Sequence, residues 1–152
     1  MTFVYPVAAY GCETWAVGAY EKTVLDRWWM SLMRRIYGVT VRDKVRSEVI
    51  LANLGASMLS KLVDERQLRY HGHVQRYPDE RWAKFITSAA RPGQTLTGKR
   101  KQWIKQTSTR LQKLNLTTDM MKDKNKWNSK LDELFAKRGK AKAGKIGQNS
   151  QA

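Results

Sequence analysis

The chain has 152 residues, 29 of them Lys or Arg against 13 Asp or Glu, which gives a formal net charge of +16. This length accommodates one helical domain or two small ones and excludes a large enzyme, while the charge predicts a polyanionic partner, most simply nucleic acid. One cysteine excludes an internal disulfide framework and favours a reducing compartment, and with only two histidines it leaves too few ligands for a zinc finger.

The first half of the chain is predicted to form amphipathic helices that end at glycines. Over residues 19–37 the apolar residues follow helical periodicity, which predicts a helix with one broad apolar face. The members of that face are Val24, Trp28, Leu32, Ile36 and, alongside them, Trp29 and Met33. Gly38 stands where a helix C-terminal glycine belongs, and Gly55 closes a second helix over 43–54, for which Asp43 is the candidate N-cap.

Turn residues divide the rest of the chain. Pro78 and Asp79 mark a break, with Asp79 as the N-cap of the helix that follows, and the turn chemistry of residues 91–98 predicts a loop. Thr117 or Thr118 is placed to cap the last helix. The predicted helices of this part are 57–74, 80–90, 100–114 and 119–136.

From Lys137 onward the chain is rich in Gly, Ala, Lys, Ser and Gln and has almost no apolar bulk. Such a segment buries too little surface to offset its chain entropy, so we expect it to be mobile unless it is bound. The pattern contains no internal repeat and no convincing strand. The sequence therefore predicts a mainly α protein, a small bundle of about five to six helices with a mobile basic C-terminal tail.

The longest apolar stretch, residues 3–10, is interrupted by Pro6 and is far shorter than the about 20 residues that a membrane-spanning helix needs. The first basic residue is Lys22, which is not the pattern of an ordinary targeting segment. We expect an intracellular protein with no membrane partner. Because residues 3–10 would otherwise form an exposed apolar patch, we expect this segment to dock on a protein neighbour or to self-associate.

The basic residues are concentrated between Arg81 and Thr118, where the chain has no Asp or Glu, and in the C-terminal tail. The densest run, Gly98 to Trp103, lies at a predicted helix start, where free N–H groups and cations can receive phosphates. Trp103 is a candidate for stacking on a base. The candidate phosphate contacts are Arg91, Lys99, Arg100, Lys101, Lys105, Arg110, Lys137, Arg138, Lys140, Lys142 and Lys145.

Two further basic clusters contain acidic residues nearby, so each is read either as a solvated helix face or as a nucleic-acid contact. The first comprises Arg34, Arg35, Arg42, Lys44 and Arg46, and the second comprises Arg66, Arg69 and Arg76 around His71 and His73.

Other residues that could carry chemistry are expected to be structural. His71 and His73 lie two apart, which points them in different directions on a helix, and we expect His73 to pack beside Gly72 rather than to bind metal. Cys12 as a nucleophile would need an activating base. The six tryptophans are expected mostly in the core, with Trp29 and Trp103 partly exposed because their neighbours are charged or polar. We predict no metal site and no cofactor.

Five ordered segments of the sequence resemble the region that follows the polymerase palm in reverse transcriptases of LINE-type (non-LTR) retrotransposons. The segments are TFVYPVAAYGCETW at 2–15, RRIYGVTVRDKVRSEVI at 34–50, LRYHGHVQR at 68–76, GKRKQWI at 98–104 and DKNKWNSKL at 123–131. By this resemblance residues 1–16 are a remnant of the end of the reverse-transcriptase domain. Residues 17–76 are a thumb-like helical region, 77–136 a basic helical region and 137–152 a basic tail.

The resemblance implies a grip on an RNA template or on an RNA–DNA hybrid, without chemistry. The family's catalytic carboxylates belong to a strand-borne motif upstream of this region, and the 152 residues contain no adjacent pair of Asp. Clustered carboxylates are needed to hold the ions of two-metal phosphoryl transfer. We therefore expect a non-catalytic RNA-binding protein, made from a truncated or domesticated element.

Three alternatives remain open at this stage. The chain could be a structural subunit of a large ribonucleoprotein, such as a cytosolic or mitochondrial ribosome, instead of a fragment of a mobile-element protein. It could be an accessory polymerase module or a nuclease, against which the missing carboxylate cluster weighs. It could also be a protein–protein module with an acidic partner. The expected compartment is the nucleus or cytoplasm for an element-like protein and the mitochondrion for a ribosomal one.

Overall fold

The computed structural model describes residues 4–87 and 98–136, and within these ranges the chain contains eight α-helices, two 3-10 turns and no strand. The mainly α prediction is confirmed. The helices are α1 Val4–Ala8, α2 Ala19–Tyr37, α3 Ser47–Asn53, α4 Leu59–Gln75, α5 Trp82–Thr87, α6 Gly98–Lys113, α7 Thr118–Lys122 and α8 Lys124–Ala136, and the 3-10 turns are Cys12–Thr14 and Val41–Asp43. The predicted tail lies outside the described residues.

Helix boundaries follow the turn residues closely. Helix α2 has the predicted bounds and ends at Gly38, whose φ of 79° lies in the left-handed region that glycine enters without strain. Helices α4 and α6 differ from prediction by one or two residues at each end. The described helices outnumber the prediction because α1 was not expected and because the predicted helix 119–136 is divided at Asp123.

The side chains predicted as N-caps do not cap the helices to which they were assigned. The Asp43 carboxylate accepts hydrogen bonds from the Thr40 amide and hydroxyl at 2.6 and 2.8 Å, so Asp43 closes a 3-10 turn and Arg46 precedes α3. Asp123 caps α8, since its Oδ1 accepts the amides of residues 125 and 126 at 2.9 and 3.2 Å. Thr117 precedes only the short α7 and makes no side-chain cap bond. The Asp79 carboxylate pairs with Lys84 at 2.6 Å.

The buried face of α2 is not the predicted row. Trp29 and Met33 are fully buried, whereas Trp28 is 51% exposed. Polar contacts set this rotation. Lys22 Nζ lies 2.6 Å from Asp64 Oδ2, and Asp26 accepts hydrogen bonds from the Ser60 amide and hydroxyl at 2.9 and 2.7 Å. These polar residues share a helix face with Trp29, so satisfying them turns Trp28 to solvent.

The N-terminal apolar segment packs in part on the chain's own helices, and the expected docking on a protein neighbour or self-association stays a prediction for the rest of it. The Tyr5 ring lies 4.7 Å from the Trp29 ring, and the Tyr5 hydroxyl donates to Ser57 O at 3.0 Å. Ala9 is fully buried. Val7 and Tyr10 remain exposed on the outer side of the segment.

Helix α4 joins two hydrophobic clusters. Leu59 and Val63 belong to the first cluster, with Trp29, Met33 and Ile50, while Leu68 belongs to the second. The other buried members of the second cluster are Leu116, Met121, Trp127 and Leu131. Helix α8 packs tightly on α4 at Gly72, where a Cβ would lie 2.7 Å from Trp127 Cδ1.

We predict that Gly72→Ala lowers the free energy of unfolding by about 1–3 kcal/mol, because the buried indole has no room to move and overpacking outweighs the better helix propensity of Ala. Urea denaturation measures the effect. In a Trp127→Phe background the same substitution should be neutral or stabilising, since the smaller ring relieves the overlap. An equal loss in both backgrounds would contradict this packing.

Candidate nucleic-acid interface

Side chains from α4 and α6 hold the turn between Ala9 and Trp15. Gln67 Nε2 donates to the carbonyl oxygens of Cys12 and Trp15 at 2.9 and 2.7 Å. Arg66 donates to Ala9 O at 3.1 Å, and Trp103 Nε1 donates to Glu13 O at 2.9 Å. We call this set of bonds the carbonyl clamp. It brings together two of the segments that carry the family resemblance, 2–15 and 98–104, through helix α4.

Arg110 supports the clamp from α6. Its guanidinium donates to Gln67 Oε1, and its Nε lies 3.0 Å from Asp64 Oδ1, the carboxylate that also binds Lys22. Burial lowers the pKa of Arg110, and the negative charge of Asp64 opposes that shift. The expected phosphate contact by Arg110 does not fit this placement, because its charge is already compensated inside the protein.

Trp103 is also directed inward. It is 8% exposed, and its ring lies 5.9 Å from the His71 ring and 6.4 Å from the Tyr70 ring. Trp29 is fully buried. The expectation that Trp103 and Trp29 are the partly exposed tryptophans is therefore wrong, and Trp103 offers no face to a base.

We predict that Gln67→Leu lowers the free energy of unfolding by about 2–3 kcal/mol, because it removes the side-chain donor from the carbonyls of Cys12 and Trp15 and one acceptor from the partly buried Arg110 guanidinium. Leu is an apolar residue of comparable volume, so the loss reports mainly hydrogen bonds and not a cavity. Gln112→Leu, at an exposed position of α6, is the matched control and should change stability little. Equal denaturation midpoints for the two variants would refute the role given to the clamp.

The basic cluster around the histidines is internal. Arg66 belongs to the clamp, Arg69 pairs with Glu65 at 2.8 Å and with Asp132, and Arg76 donates to Met121 O at 2.9 Å. These contacts favour the structural reading of this cluster over nucleic-acid binding.

His71, and not His73, is the buried histidine. The His73 ring is exposed, and its Nε2 is 2.8 Å from the Tyr77 hydroxyl. Burial lowers the pKa of His71 to about 4 from its ordinary value of 6.5. Its Nδ1 has no hydrogen-bond partner. No group of His, Cys, Asp or Glu among the described residues has the arrangement of a metal site.

We predict that unfolding becomes easier on mild acidification. The folded protein keeps His71 neutral while the unfolded chain protonates it, so the unfolded state binds more protons between pH 6.5 and about 4. Lowering the pH from about 7.5 to about 5 should therefore cost about 2 kcal/mol of stability. His71→Gln should flatten this dependence and His73→Gln should not. A flat wild-type profile would contradict the burial of His71.

The basic start of α6 carries the predicted run. Lys99, Arg100 and Lys101 lie in the first turn of the helix, and Lys105 is exposed one turn later. The contacts of the first three side chains lie outside the described part of the structure. So do Arg91 and the tail cations Lys137, Arg138, Lys140, Lys142 and Lys145.

The other basic cluster is exposed at the C-terminal end of α2 and in the 3-10 turn after it. Arg35, Arg42, Lys44 and Arg46 are exposed and have no carboxylate partner within residues 4–87 and 98–136. The one acidic residue among them is Asp43. Hydrogen bonds from Thr40 lower its pKa, so this carboxylate stays ionised but is held by the turn. We call Arg42, Lys44 and Arg46, which follow α2, the turn cluster.

The carboxylates cannot neutralise this surface. All 13 lie in the described ranges, and eight of them pair with cations of the chain. Asp26 and Asp43 are held by Ser60 and Thr40. Because 29 cations face 13 carboxylates, the excess of 16 has no internal counter-charge and must meet solvent ions or a polyanion.

An open groove of about 920 Å³, which the sequence did not predict, lies between α3, α4 and α8. Its floor is apolar and includes Leu51, Leu62 and Phe135. Its polar lining mixes Glu48, Glu65 and Glu133 with Lys61 and Arg66, so it does not offer the uniform positive charge that a polyanion favours.

Cys12 is buried in the first hydrophobic cluster. Burial raises the pKa of its thiol, and the neighbouring Glu13 carboxylate raises it further. Both effects disfavour the thiolate, which is the reactive form. Cys12 is placed to pack and not to attack a substrate.

Comparisons of the chain with protein-family models, with curated proteins and with solved structures find no match. None of the helices in the described ranges has both the length and the apolar character needed to cross a bilayer. Inferences about function therefore depend on the charges and contacts of this chain.

Proposed function

We propose that the protein binds RNA, or an RNA–DNA hybrid, through its phosphates and catalyses no reaction. The observation that carries the proposal is the separation of cations into two groups. One group is compensated inside the fold, and the other, which includes the turn cluster and Lys105, is exposed without an internal carboxylate among the described residues. Exposed cations on a rigid helical frame are what phosphate neutralisation requires.

Phosphate contacts made this way carry little sequence information. Backbone contacts fix the position of a nucleic acid, whereas base readout needs side chains directed at base edges. The resemblance of the five segments to a retroelement thumb region supports the same role, a grip on nucleic acid without chemistry. Lys99, Arg100 and Lys101 extend the proposed interface along the first turn of α6.

A second candidate is a structural subunit of a large ribonucleoprotein, such as a cytosolic or mitochondrial ribosome. The exposed Val7 and Tyr10 favour it, because they leave large apolar side chains in solvent, as expected of a protein that also touches a protein neighbour. Recovery of a defined RNA and fixed protein neighbours with the chain from cells would separate this candidate from a mobile-element protein.

An enzymatic role is tested directly by incubating the purified protein with magnesium and either a primed template or a labelled RNA. The proposal expects neither extension nor cleavage. Activity that co-purifies with the chain through stringent purification would overturn the non-catalytic part of the proposal.

We predict that replacing Arg42, Lys44 and Arg46 together by Gln weakens RNA binding and lowers its salt dependence. Each phosphate contact contributes about 0.7–0.9 to the slope of log affinity against log salt, so the slope should fall by about 2–3. Fluorescence anisotropy of a labelled RNA at several salt concentrations measures both quantities.

The matched control removes three surface cations that already have carboxylate partners. Lys122, Lys126 and Lys130 pair with Asp119, Asp123 and Glu133 on α7 and α8. Replacing these lysines by Gln gives the same net charge as the first variant. An equal fall in slope for both variants would show that only net charge matters and would refute an interface at the turn cluster.

A further inference from the structure

The side of α2 that faces away from the core carries aromatic residues between cations. We call it the outer face of α2. Its members are all exposed and follow helical spacing: Tyr20, Glu21, Val24, Arg27, Trp28, Ser31 and Arg35. Tyr20 is 77% and Trp28 is 51% exposed, which is a large aromatic area for one helix to leave in water.

This face cannot turn inward, because the opposite side of α2 is fixed. Lys22 and Asp26 contact Asp64 and Ser60 on α4, and the Trp29 ring packs against the Tyr5 ring. Trp28 rests against this core, its ring 6.3 Å from the Trp29 ring at an interplanar angle of 41°. The indole is therefore supported on its inner side while half of its surface stays open.

Charge decides what kind of partner fits the outer face. Arg27 and Arg35 have no carboxylate partner in the part of the chain that the structure describes. Arg35 follows Trp28 by two turns in the same row, about 10 Å along the axis. An apolar protein surface placed here would have to desolvate both guanidinium groups without pairing them, which is costly. A strand of unpaired nucleotides offers flat bases and phosphates together.

We propose that the outer face of α2 binds unpaired nucleotides, with a base stacked on Trp28 and flanking phosphates on Arg27 and Arg35. The inference rests on the proposed RNA binding and adds a preference within it. Bases of a duplex are stacked on one another and cannot reach a side chain, whereas unpaired bases stack readily on aromatic rings. The face therefore selects single strands, while the turn cluster contacts phosphates of either form.

The test compares a short labelled oligouridylate with a labelled RNA duplex of the same length, by anisotropy at one low salt concentration. Trp28→Ala should weaken binding of the single strand about tenfold and leave duplex affinity unchanged. Trp28→Phe, which keeps a stacking ring, should retain most of the affinity. Trp82→Ala is the matched control, since Trp82 is 71% exposed and lies outside this face.

The outcomes separate this inference from the proposed function. If the wild-type protein binds neither RNA, the proposed function fails. If it binds both and Trp28→Ala binds the single strand as tightly as wild type, or loses no more than Trp82→Ala, the inference alone is overturned. If the wild-type protein sediments as a dimer and the only effect of Trp28→Ala is to dissociate it, the face contacts a second copy of the chain and the inference is also overturned. Circular dichroism and thermal midpoints confirm that each variant is folded.

Discussion

Three side chains of two helices donate hydrogen bonds to four main-chain carbonyls of the turn between Ala9 and Trp15. A buried carbonyl without a donor is costly. The turn's own amides reach the carbonyls of Ala9 and Cys12, and the clamp supplies the side-chain donors to Glu13 and Trp15. Because Gln67 and Trp103 come from distant parts of the chain, the clamp closes the fold over long sequence separations. It joins the N-terminal segment to the helix that links both hydrophobic clusters.

The clamp also determines which cations remain free to contact a ligand. Arg66 donates to the turn, and Arg110 lies between Gln67 and Asp64. A partly buried guanidinium with carboxylate and amide partners contributes to folding and is not available to a ligand. The exposed arginines and lysine of the turn cluster have no such partners among the described residues, so their counter-charge comes from outside the chain. Folding and the proposed binding thus use different cations.

The sequence predicts where helices start and stop better than which way they face. The bounds of α2 follow from Gly38 because the residue after a helix must often adopt a left-handed conformation. Its rotation does not follow from periodicity, since Trp28 and Trp29 are adjacent and both fit an apolar row. Contacts of α2 with Asp64 and Ser60 on α4 decide between them.

The charge pattern along the sequence does not predict which cations are paired, because partners distant in sequence are brought together by helix packing. Arg110 stands in a stretch without Asp or Glu, which predicts an uncompensated cation, yet its partner Asp64 is brought beside it by the packing of α6 on α4. Spacing places His71 and His73 in different directions and does not say which is buried. The close approach of Trp127 to Gly72 and of Trp103 to His71 fixes that choice.

The segment GKRKQWI shows how the clamp and the proposed interface are coupled in one helix. Trp103 bonds to Glu13 O and fixes α6 against the N-terminal turn, and Lys105, two residues later, is turned to solvent by the helical repeat. Lys99, Arg100 and Lys101 lie two to four residues before Trp103 in the same helix. The hydrogen bond of Trp103 to Glu13 O therefore also fixes where the backbone of this basic run lies. A run of cations in an unanchored segment would lose conformational entropy on binding phosphates. Because this run continues into a helix that holds a buried tryptophan, its backbone is helical without a ligand, and the proposed phosphate contacts would not have to order it.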